Sequence, residues 1–160
     1  MKPLLTFAKA LGVAGGLAWG LASGLVVGLA VIPSDAAAQL LGQEKKILPM
    51  IKNNWIAFRN YDGRQLVYFT ILQSYRCGIS EVRFSLNDES LGEYFPLPPC
   101  DPQRPHHIDT ENWPSYLTMP LGTAKSAAVQ LVYKDGEESE IVRYGVCDAA
   151  GDSSCVVVLP

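Results

Sequence analysis

From Ala10 to Ile32 the chain runs through 23 residues without a charge, and Gly12, Gly16, Gly20, Gly24 and Gly28 recur in that stretch at every fourth position. At about 1.5 Å rise per residue such a run makes a helix of roughly 35 Å, enough to cross a bilayer. The four-residue period sets the glycines near one stripe, the small-xxx-small spacing that lets two helix backbones approach closely in lipid. Lys2 and Lys9 are the only charges before the run, and positive charge stays on the cytoplasmic side. The chain from about residue 39 onward is therefore expected to fold outside the cytoplasm.

Two fates fit this segment. Pro33 breaks the helix, and Ala36-Ala37-Ala38-Gln39 offers an A-x-A site for cleavage between Ala38 and Gln39, which makes residues 1–38 a signal peptide. The length speaks instead for a retained signal anchor, since a signal core usually holds about 7–15 apolar residues. The glycines cut both ways, as a packing stripe or as residues that cost helicity and add no apolar surface. The chain is expected to be exported, periplasmic or secreted; the alternative is inner-membrane anchoring with the C-terminal domain outside.

All four cysteines, Cys77, Cys100, Cys147 and Cys155, lie after the segment. An even count in an oxidising compartment favours disulfides, with three possible connectivities. Sequence order suggests Cys77–Cys100 and Cys147–Cys155, the second closing a short loop of turn formers and fixing the last strand. Zinc is the sharper alternative, but no C-x-x-C or H-x-x-x-H pair is present.

Removing residues 1–38 leaves about 122 residues, enough for one domain with its own core. Lys2, Lys9 and Asp35 leave with them, so 11 basic and 15 acidic residues remain, a net charge of about −4. With no basic stripe, nucleic acid is not an expected partner, and a membrane is touched only through the N-terminal helix.

Residues 39–54 read as a short helix or linker broken near Pro49, and 55–160 as a disulfide-bonded β-domain. WIAFRN, the turn Tyr61-Asp62-Gly63-Arg64 and QLVYFTILQ predict a hairpin whose second strand, apolar on both faces, is central and covered on both sides. ISEVRFSL alternates as a half-buried strand, with Val82, Phe84 and Leu86 on one face. Residues 96–114 carry six of the eleven prolines and predict an irregular surface loop. SYLTM, then AAVQLVYK and ESEIVRYGVC around Asp135-Gly136, then CVVVL, complete about seven short strands. The fold class is all-β, a small β-sandwich or partly open barrel behind an N-terminal apolar helix.

Candidate chemistry is sparse. His106 and His107 lie near Cys100, Asp101, Asp109 and Glu111, but adjacent residues of an extended segment point to opposite sides, so they are weak metal candidates. Glu137, Glu138 and Glu140 read as a solvated strand face rather than an acid–base pair. Among Trp55, Tyr61, Tyr75, Tyr94, Trp113 and Tyr116, the loop members Trp113 and Tyr116 have the best claim to exposed binding, the rest reading as core or cross-strand pairs. There is no G-x-S-x-G elbow and no phosphate-cradling loop, so no catalytic residue and no cofactor are expected.

The stretch MPLGTAKSAAVQLVYKDGEESEIVRYGVCDAAGDSSC resembles the C-terminal part of the invasion-associated locus B family of bacterial exported proteins, with its Pro-x-Gly turn, apolar-alternating hairpin and Cys-loop-Cys end. The resemblance covers about 40 of 160 residues, and RCGISEVRFSLN does not follow the pattern.

The functional expectation is an exported, non-enzymatic β-domain acting through protein–protein contacts, with loop 96–114 and the Asp-Gly hairpin ends as leading surfaces. One alternative is an accessory subunit of a membrane complex, its glycine stripe packed against other spans. Another is a metal-binding or enzymatic protein using His106 and His107.

Overall fold

A computed structural model describes residues 41–151 and 153–160. The glycine stripe, the Ala38–Gln39 site and the rest of 1–38 lie outside the described residues. The first described element is a short helix, α1 (Glu44–Met50), carrying Pro49 within its last turn and followed by a 3₁₀ turn at Lys52–Asn54. Leu48 of α1 is fully buried, and the Trp55 indole N–H donates to its carbonyl at 2.9 Å.

Beyond this helix the strands form two antiparallel sheets, so the described residues are mostly β with few helices. In the first hairpin, β1 (Ala57–Tyr61) pairs with β2 (Arg64–Tyr68) across a two-residue turn. Asp62 and Gly63 have φ of 51° and 68°, the left-handed pair that a type I′ turn requires. On its other side β2 pairs with β5 (Tyr116–Pro120), giving a three-stranded sheet in the order β1-β2-β5. The doubly apolar strand is thus central, but the expected cover on both sides is incomplete: on its outward side Leu66 is buried, Tyr68 half-buried and Arg64 exposed.

The long second strand read from QLVYFTILQ is corrected. Pairing stops at Tyr68, where the Phe69 N–H donates to Ser115, and Thr70–Ser74 form a helix, α2. Phe69, Leu72 and Arg76 are buried, a helical three-and-four spacing that a short apolar run cannot distinguish from strand alternation.

The second sheet runs β4-β3-β6-β7-β8. Its long strands are β3 (Ile79–Leu86) and β6 (Ser126–Tyr133); β7 (Val142–Gly145) is shorter, and β4 (Glu93–Tyr94) and β8 (Val157–Val158) have two residues each. The Asp135-Gly136 turn sits at the end of β6, with Gly136 at φ 85°.

Phe58, Val67, Phe84 and Leu131 bring the two sheets into one apolar core, with Trp55, Leu72 and Tyr144 filling around them. Phe69 stacks on Phe95 at 4.1 Å and meets the Phe84 ring edge at 5.2 Å. Full burial of each such side chain contributes about 1.5–3 kcal/mol.

The C-terminal segment is bonded to both sheets. Phe58 and Cys155 exchange two backbone hydrogen bonds of 2.9 Å, and β8 then pairs with β7. A disulfide joins Cys155 to Cys147, with Cα atoms 6.0 Å apart, and another joins Cys77 to Cys100, with Cα atoms 4.8 Å apart. Two disulfides are typical of proteins from an oxidising compartment. Among the described residues no helix is long and apolar enough to cross a membrane.

Candidate functional site

Loop 96–114 is nailed down from below. Arg76 is only 4% exposed and donates to the carbonyls of Pro99 at 2.9 Å, Pro105 at 2.6 Å and Gln73 at 3.3 Å. Gln73 donates to Pro114 at 3.1 Å, and the Cys77–Cys100 bridge fixes the near end. Burial pushes the Arg76 guanidinium below its ordinary value, which nearby Asp101 partly opposes. Carbonyl oxygens hold the cation in place.

The two histidines part company in this frame. His106 turns inward, its Nδ1–H donating to Ser74 at 2.8 Å and its ring edge-on to Tyr75 at 5.3 Å, while His107 is exposed. No group of three or more His, Cys, Asp or Glu side chains among the described residues is arranged to hold a metal ion. Asp101 and Asp109 close local turns; the Gln103 N–H holds the first carboxyl below its ordinary value, and the Asn112 amide the second.

The acidic hairpin likewise uses its charges internally. Lys45 pairs with Asp135 and with Glu137 (2.7 Å), Lys52 with Glu140 (2.7 Å), and Arg83 with Glu138 (2.7 Å). Hydrogen bonds from Lys45 hold the Asp135 carboxyl below its ordinary value.

The outer face of the three-stranded sheet is different. Phe58 and Val67 point into the core, so alternation sends their neighbours outward. Three cross-strand rows result: Ala57–Tyr68–Tyr116, Arg59–Leu66–Thr118 and Tyr61–Arg64–Pro120. Tyr61 is 59% exposed and Tyr116 42%, and the Tyr68 and Tyr116 rings lie 5.4 Å apart. The Arg59 guanidinium lies over the Tyr61 ring, 4.8 Å from its centroid. Neither Arg59 nor Arg64 forms an ion pair among the described residues, and Arg59 Nε is buried without a hydrogen-bond partner.

A cleft of about 360 Å³ opens beside this face, bounded by Arg59, Tyr68, Trp55, Thr70 and Ser154. Of the aromatics singled out in the sequence, Tyr61 and Tyr116 stand on this face, Trp55 lies in the core beneath the cleft, Tyr75 packs under the loop, Trp113 is half-buried and Tyr94 is exposed on β4. Sequence reasoning missed Arg59, Arg64 and Tyr68. Their signal was the alternation Ala57/Arg59/Tyr61 and Arg64/Leu66/Tyr68 within the hairpin.

Compared with known proteins, the chain matches no family model, and no curated protein or solved structure matches it.

Proposed function

We propose that this chain is an exported, non-enzymatic β-sandwich domain that works by protein–protein contact through the outer face of its three-stranded sheet. The observation that carries the reading is the composition of that face. Tyrosine and arginine are the residue types that dominate binding hot spots, and here they stand together with no ion-pair partner among the described residues. Loop 96–114 fits the role less well, because the Pro99, Pro105 and Pro114 carbonyls and the His106 ring are already bonded to Arg76, Gln73 and Ser74 beneath it.

The proposed location is periplasmic or secreted, and the test of the surface is site-directed photo-crosslinking in the producing cell. A photoreactive phenylalanine analogue at Thr118 is expected to capture one discrete partner; the same analogue at His107 is not. Intact mass settles the companion question. An N-terminus at Gln39 fits a free exported domain, whereas a retained segment fits an accessory subunit whose glycine stripe packs against other spans.

A further inference from the structure

We propose that this sheet face recognises an acidic segment of a partner protein, with one carboxylate seated against Arg59 at the cleft and neighbouring side chains packed on Tyr68 and Tyr116. The inference rests on the reading above and supplies the partner's chemistry.

Charge carries it first. The part of the chain after residue 38 has a net charge of about −4, yet the outward positions of the three strands hold two arginines and no carboxylate. Other arginines are spent: Arg83 on Glu81 and Glu138, Arg104 on Asp101, Arg143 on Glu89 and Arg76 on loop carbonyls. Arg59 and Arg64 stand apart from that pattern.

Geometry carries it second. Tyr61 holds the Arg59 guanidinium by a cation–π contact, so little side-chain freedom remains to be lost when an anion arrives. Arg59 has no ion-pair partner among the described residues, and a carboxylate accepts from a guanidinium through two parallel bonds. The cleft has room for a side chain, and Thr70 and Ser154 are among the residues that line it. A polyanion such as nucleic acid meets an acidic domain beyond this face, whereas isolated carboxylates on a protein do not face that repulsion.

The test uses the exported protein purified from cells producing the full chain, and a fluorescent peptide alternating Glu with Tyr alongside its Gln-for-Glu counterpart. The Glu peptide is expected to bind about tenfold tighter. That preference should shrink severalfold in about 0.5 M salt and vanish in Arg59→Gln, while Tyr116→Ala weakens both peptides. A cooperative thermal melt within a few degrees of the parent in each variant shows that the fold is retained.

Equal binding of the two peptides, lost together in Tyr116→Ala, overturns the acidic preference and leaves the contact surface standing. A Glu preference that survives Arg59→Gln places the carboxylate elsewhere and overturns the proposal. Tighter binding of a single-stranded oligonucleotide than of the Glu peptide overturns it as well. Binding of neither peptide, with no crosslink from Thr118, overturns both the inference and the reading beneath it.

Discussion

Loop 96–114 and the outer face of the three-stranded sheet both carry polar and aromatic side chains, and the fold treats them in opposite ways. The loop is held by Arg76, Gln73, His106 and a disulfide, so much of its polar capacity goes into its own attachment. On the sheet face pairing between the strands holds the structure together, leaving Tyr61, Arg64 and Tyr116 exposed and Arg59 and Tyr68 half-buried. Availability for binding is what remains after the structure has met its own hydrogen-bonding needs.

Substitutions should separate the two regions sharply, beginning with the largest effect. Arg76→Ala leaves the loop carbonyls of Pro99 and Pro105 and the Gln73 carbonyl of α2 without this donor and opens a void beneath the loop, and should cost about 3 kcal/mol in chemical denaturation. A cost under about 0.5 kcal/mol would mean that the loop is not held as described. Replacing both Cys77 and Cys100 by serine should cost roughly 3 kcal/mol, mostly by freeing the unfolded chain across their 23-residue separation. Proteolysis of the native protein should then shift to 96–114.

On the sheet face the order of effects reverses. Arg64→Ser and Tyr116→Ala should each change stability by about 1 kcal/mol or less, since both side chains are exposed. Their effect should appear in partner binding, at about tenfold each. A matching loss from His107→Ala would erase the distinction between the two regions.

The smallest effect is that of acid. Asp101 and Asp109 in the loop have carboxyls held below their ordinary values by local hydrogen bonds, and Asp135 by Lys45. A depressed folded-state value stabilises the fold above the unfolded carboxylate range and loses that contribution as pH falls through the folded value. The melting temperature should therefore stay level from about pH 7 to 5 and decline below about pH 4. Asp109→Asn should flatten the decline slightly.

The sequence makes local features legible. Asp62-Gly63 announces its hairpin because only a left-handed pair closes that turn, and the Val82/Phe84 alternation announces a sheet with one covered face. Helix α2 escapes because Phe69, Leu72 and Arg76 satisfy a helical period within a run short enough to pass for a strand. The anchoring of the loop escapes because the partners of Arg76 are main-chain carbonyls, which leave no side-chain pattern. The candidate surface was half visible. Each strand shows its own alternation, but only long-range pairing sets Tyr116 beside Tyr68 and Thr118 beside Leu66.

Photo-crosslinking from paired positions tests the central claim most directly. The analogue placed at Thr118 and at Tyr61 should yield the same partner band, and the analogue at His107 and at Glu111 should yield none. A strong band from the loop positions with nothing from the sheet face would contradict the account.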